Sequence, residues 1–267
     1  MEERMKKIRS VIAPFLAAWG ILSDYQLPGR IIAPFRMMVP ANNVLFCLPL
    51  TGVLAGVLPF LTAWIVSLIF NRTAGAVVFA LLGGGVFLFK DSGRGFAFLL
   101  SYAGARISGD APVSALAKGE TRLGEVLRNP LMMLAAVICI IFVLAMLTGL
   151  FFCGKGFWLT AVLGADAFVQ ARLGLEIDRQ SQMPFIRTSG KGIKYLAAGG
   201  IITALMELIL FPGIASLGAM VILWVWFWRE LPRAEEFREG LSSDWISMYG
   251  FWAGILTLLC GMGLLKG

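Results

Sequence analysis

Long apolar runs parted by short clusters of charge set the pattern of this chain, with seven runs at 44–70, 73–89, 129–153, 157–171, 195–211, 214–228 and 245–265. A helix needs roughly 20 apolar residues to cross a bilayer, and no charged residue stands anywhere between Arg36 and Arg72. Two runs, 157–171 and 214–228, are short, and the first contains Asp166. Each must borrow flanking residues, lie in a thinned region or be buried by its neighbours. The pattern predicts an all-α, polytopic integral membrane bundle of about seven transmembrane helices, built as a single domain over 1–267. Two shorter apolar stretches, 11–23 and 96–105, suit helices lying in the membrane interface. The first follows a basic head, but Glu2, Glu3, Pro14 and the lack of a small-residue cleavage site argue against a removable signal peptide.

Charge gives these runs a direction. If all seven cross, 20 of the 23 Lys and Arg residues fall on one side, in 1–10, 24–43, 90–128, 172–194 and 229–244. The other side holds only Arg72, Lys155 and Lys266. Basic flanks are retained in the cytoplasm during insertion, so the N-terminus is expected inside and the C-terminus outside. The 1–43 segment is then cytoplasmic or interfacial, 90–128 and 172–194 are the main cytoplasmic loops, and the opposite face has only tight turns such as Pro212-Gly213. The net charge of +7 largely reflects this bias and favours anionic headgroups or phosphorylated substrates rather than nucleic acid.

An apolar content of 58% against 15% charge fits an exterior that lipid, not water, satisfies. The bilayer is therefore the first expected partner, while the sequence leaves the oligomeric state open. The 31 glycines suggest close helix contact, with Gly52-x-x-x-Gly56 a packing pattern and Gly83-Gly84-Gly85 a packing site or helix break. The chain has no His, which removes imidazole catalysis, Ser-His-Asp triads and His-ligated zinc. Cys47, Cys139, Cys153 and Cys260 stand alone in or beside apolar runs and read as small packing residues.

Carboxylates and cations at the expected cytoplasmic face remain as chemistry: Asp91, Asp110, Glu120, Glu125, Arg128, Arg172, Asp178, Arg187, Lys191 and Asp244. Diphosphate chemistry at a membrane needs acids to hold Mg²⁺ and cations to neutralise charge on the transferred group. Asp166 and Glu207 lie inside apolar runs, where an ionisable group requires a partner or a role. Arg172 and Lys155 are the expected partners of Asp166.

Several short motifs resemble the cobalamin synthases, adenosylcobinamide-GDP ribazoletransferases. Phe15-Leu-Ala-Ala18 and Leu22-Ser23 resemble the opening F-L-x-x-x-x-F-L-T-R-L-P, and Leu48-Pro49-Leu-Thr-Gly52-Val-Leu-Ala-Gly56 resembles F-P-x-x-G-x-x-x-G. Gly84-Gly85, Glu125-Val-Leu-Arg128, Pro184-Phe185-Ile186-Arg187-Thr-Ser-Gly190-Lys-Gly192 and Gly240-Leu-Ser-Ser-Asp244 follow in the family's order. The resemblance covers roughly residues 15–260. It implies a multi-pass enzyme of a bacterial or archaeal cytoplasmic membrane that joins α-ribazole to adenosylcobinamide-GDP, releases GMP and requires Mg²⁺. It also implies corrinoid and nucleotide substrates. Carried onto matching positions, it gives Asp91, Glu125, Arg128, Arg187 and Asp244 as catalytic, Asp91 and Asp244 as metal ligands, and Arg172, Gly190, Lys191 and Gly192 as substrate-binding.

The chain departs from that family where its acids are densest. The signature G-G-F-H-x-D-G-x-x-D-x-x-D-G is here Gly84-Gly85-Val86-Phe87-Leu88-Phe89-Lys90-Asp91-Ser92-Gly93-Arg94-Gly95-Phe96. Phe87 stands at the His position, Phe89, Gly93 and Phe96 at the three Asp positions, and Asp91 two residues out of register. Two expectations of different class follow: a divergent transferase, or a relative that has lost catalysis and binds a corrinoid, a nucleotide or a membrane partner. A small transporter or an unrelated lipid-phosphate transferase is the third, although no inverted repeat of interrupted spans is evident for a transporter. The CDP-alcohol phosphotransferase signature is missing, since Asp91-Ser-Gly-Arg94 lacks both its DG and its AR.

Overall fold

The computed structural model describes residues 2–22, 40–108, 123–180, 192–210 and 243–261, with Gly213, Val221 and Gly263. Among these, α-helices α1 (Glu2–Leu22), α2 (Ala41–Ile69), α3 (Arg72–Phe89), α4 (Arg94–Ser108), α5 (Leu123–Val126), α6 (Pro130–Phe152), α7 (Leu159–Gln180), α8 (Gly192–Leu210) and α9 (Ser243–Cys260) occur with one 3-10 turn, Gly156–Trp158, and no strand. Four of them, α2, α3, α6 and α8, are long and apolar enough to cross a membrane. The run at 214–228 lies outside the described residues.

Helix ends follow local chemistry. The α2–α3 hairpin turns at Phe70 and Asn71, and the Asn71 side chain accepts the Ala74 N–H at 2.7 Å, satisfying a first-turn donor of α3. Asn129 does the same for α6 through the Leu131 N–H, with Pro130 at the first helical position where its missing N–H costs nothing. The Arg72 guanidinium donates to the Phe152 carbonyl and so ties the start of α3 to the end of α6. These two helices are antiparallel, as are α2 and α7, where Gly56 lies against Thr160 and Gly52 against Leu163 and Ala167.

The organising element is α7. Every residue from 158 to 175 is buried, enclosed chiefly by α2, α9 and α8. A helix covered by protein on all sides is released from the apolar requirement that lipid imposes. It therefore carries Thr160, Asp166, Gln170 and Arg172 within its length, all buried. Its outer neighbours show the reverse pattern: Leu54, Leu58, Ile65 and Leu68 of α2, Leu134, Ile138 and Ile141 of α6 and Ile209 of α8 are exposed, the arrangement that hydrocarbon contact stabilises.

Two apolar clusters fill the interior. One gathers Phe79, Phe87, Leu147 and Trp158, and the other Ala18, Leu45, Leu48, Phe168 and Leu196. The Trp158 indole N–H donates to the Thr257 carbonyl at 3.0 Å, which joins the turn before α7 to α9. The expected interfacial stretch 96–105 is the body of α4, with Phe96, Ala97 and Phe98 buried. Phe98 packs on Trp245 of α9, so this helix is held by protein contacts. The 11–23 stretch belongs to the longer α1, whose Ala13, Pro14 and Ala18 are buried.

Candidate functional site

Where α3 ends, Lys90 closes the helix with its N–H on the Val86 carbonyl at 3.1 Å. Its side chain, only 14% exposed, reaches into the bundle and forms an ion pair with the fully buried Asp166. The second Asp166 oxygen accepts the Gln170 side-chain amide at 3.0 Å. Gly250 brings the α9 backbone so close that any Cβ there would run into this carboxylate. Two expected partners of Asp166 are thus corrected. Arg172 is six residues further along α7 and so projects roughly 120° away around the helix axis, while Lys155 precedes the helix at its other end. Sequence reasoning missed Lys90, although it is the first charge after the 73–89 run and its long stem suits such a reach.

A cavity of about 260 Å³ opens beside this pair, lined by Trp19 of α1, Thr51, Gly52 and Ala55 of α2, Gly85, Val86 and Phe89 of α3, and Leu163 and Ala167 of α7. Lys90 is its charged edge. Burial draws the Lys90 ammonium down to about 8, opposed by the neighbouring Asp91 carboxylate. The volume lies just below the range of drug-sized pockets.

Asp91 occupies the turn between α3 and α4. It is buried, and its Oδ2 accepts the Gly95 N–H at 3.2 Å, serving the first turn of α4. Gly95 also lies against the backbone of Ser247 in α9, so the Asp91 turn and the beginning of α9 share one end of the bundle. Asp244 is the second residue of that helix. The positions matching the family's His and last Asp carry apolar packing: Phe87 stacks on Phe251 with centroids 4.9 Å apart, and Phe96 meets the same ring at 5.6 Å.

The other expected site residues lie on several elements or outside the described residues. Glu125 sits in the short α5, Arg128 is exposed just before α6, and Gly192 is the buried first residue of α8. Arg172 is buried in α7 rather than held in a loop. Arg187, Gly190 and Lys191 fall outside the described residues, as do Asp110 and Glu120 and the side chains of Glu125, Asp178 and Asp244. Among the described residues no three carboxylates or thiols converge as a metal site. Asp91 has its Oδ2 on the Gly95 N–H.

A second polar pair crosses the interior near the α2–α3 turn end. Glu207 of α8, fully buried, lies 2.6 Å from the Thr160 hydroxyl of α7.

The described residues are all-helical, with four helices long and apolar enough to cross a membrane, a buried ion pair and an apolar cavity edged by Lys90. Comparison with known proteins gives no family model, curated relative or solved structure that matches the chain.

Proposed function

We propose that this is a polytopic membrane protein on a cobalamin-synthase-like plan that binds the aromatic base of a ribazole-type ligand without performing phosphoryl transfer. The observation that carries this is the Phe87–Phe251–Phe96 stack, which fills with apolar rings the positions where the family resemblance calls for His and Asp. A phosphoryl-transfer site deprived of its metal ligands loses several kcal/mol of transition-state stabilisation. The cavity supports the binding half: Trp19 and Phe89 offer aromatic faces, and Lys90 offers a cation for a phosphate or hydroxyl. The distribution of Lys and Arg supports seven crossings and a cytoplasmic N-terminus, and the family resemblance supports residence in a bacterial or archaeal cytoplasmic membrane.

The second reading is a retained Mg²⁺-dependent ribazoletransferase. It is favoured by the closeness of the Asp91 turn to the start of α9, which brings Asp91 and Asp244 to one end of the bundle. There Mg²⁺ would neutralise charge on the diphosphate, with Glu125, Arg128 and Arg187 as the remaining family-matched residues.

Purified protein in nanodiscs, given adenosylcobinamide-GDP, α-ribazole and Mg²⁺, separates the two. Retention of labelled α-ribazole without GMP release, weakened by Gly85→Trp in the cavity wall, is the expected result. GMP release that disappears in Asp91→Ala or Asp244→Ala establishes the transferase instead. Neither binding nor turnover removes both.

A further inference from the structure

We infer that Glu207 is a proton-binding site inside the bundle, held as a neutral carboxylic acid that donates to the Thr160 hydroxyl. Hydrogen-bond counting carries this. The Thr160 Oγ lies 2.7 Å from the Phe157 carbonyl and 2.6 Å from Glu207 Oε1. A hydroxyl has one proton, and the carbonyl can only accept. Two contacts this short cannot share that proton, because an ionised carboxylate also only accepts. If Thr160 donates to Phe157, the proton between Thr160 and Glu207 belongs to the acid. Each short contact then has a donor and an acceptor.

The surroundings agree. Glu207 is 0% exposed, and its Oε2 has no hydrogen-bond partner among the described residues. An orphan oxygen of this kind costs far less on a neutral acid than on an anion. Among the described residues the packed elements supply no compensating cation. α2 has no charged residue, and α9 has none beyond Asp244. On α7 the nearest ionisable group, Asp166, is committed to Lys90. Lys155 before the 3-10 turn and Lys194 at the far end of α8 form no ion pair with Glu207 within the described structure.

Infrared spectroscopy of the protein in nanodiscs at neutral pH tests this. The wild-type minus Glu207→Gln difference should show loss of a carboxylic-acid C=O band that shifts slightly in D₂O. Thr160→Val should leave that band present and move it to higher wavenumber, since the acid loses its acceptor. Loss of carboxylate stretches in place of an acid band overturns the proposal, including the case of an ionised Glu207 neutralised by a bound monovalent cation. Should Glu207→Gln fail to fold, the Thr160→Val shift decides: an acid band that moves supports the assignment, and an unmoved acid region defeats it.

Discussion

A charge enclosed by helices persists only while its counter-charge does, and this makes Asp166 the most consequential single side chain of the bundle. Asp166→Asn strands the Lys90 ammonium in a buried setting. It should cost about 3–5 kcal/mol, the usual penalty for removing one member of a buried pair, measured as thermal unfolding in detergent. The double change Lys90→Met with Asp166→Leu removes both charges and should recover most of that loss. A double variant no more stable than Asp166→Asn would show that the pair contributes something besides mutual neutralisation. The same lysine gives ligand binding a pH dependence. With its ammonium drawn down to about 8, the cation is present below that pH and lost above it. Retention of an anionic ligand should therefore weaken as pH rises through about 8, and Asp166→Asn should move the midpoint lower because an attractive carboxylate is gone. A flat binding profile between neutral and alkaline pH removes Lys90 from the site. The sequence made Asp166 and Glu207 conspicuous because acids in apolar runs are costly, but not their partners, since Lys90 and Thr160 come from other helices and no local spacing encodes that meeting.

Hydropathy reads a helix by the solvent it faces, and α7 faces none from Leu159 to Leu175. Its apolar run stops near Ala171 only because Arg172, Glu176, Asp178 and Arg179 follow, while the helix continues to Gln180. The expected loop 172–194 is shortened accordingly, and Arg172 is interior. By contrast the limits of α2, α3 and α6 lie within a few residues of their apolar runs, because lipid-facing helices must be apolar along their whole exposed face. The Gly52-x-x-x-Gly56 pattern was legible for a related reason: only a missing side chain lets two backbones approach so closely. A Cβ on Gly52 would strike the Leu163 carbonyl, whereas one on Gly85 meets nothing within 4 Å. Gly52→Ala should lower stability by about 1–3 kcal/mol through overpacking, while Gly85→Ala should be neutral or gain up to about 1 kcal/mol from helix propensity. Equal melting shifts for the two would mean that α2 and α7 are not in this contact.

At the scale of the molecule, the chain alternates direction through its hairpins, and that alternation sets which residues can cooperate. Lys90, Asp91, Arg128 and the start of α9 gather at one end, while Phe70, Cys153 and Thr160 lie at or toward the other. On the proposed reading, a cavity edged by Lys90 draws an anionic, nucleotide-borne ligand from the cytoplasm only if the first end faces that compartment, the orientation expected from the Lys and Arg distribution. Cys153 is a built-in reporter, being exposed at the turn after α6, while Cys47 is buried and Cys139 and Cys260 are partly covered. A membrane-impermeant maleimide added to intact cells should label wild-type protein and lose that labelling in Cys153→Ser. In the Cys153→Ser background, Arg128→Cys, at an exposed position, should react only in inverted vesicles or after permeabilisation. Labelling of both positions from the same side would show that α6 does not cross the bilayer. Reversed sidedness would leave the fold intact, place the Lys90 edge outside and end the case for a cytoplasmic nucleotide ligand.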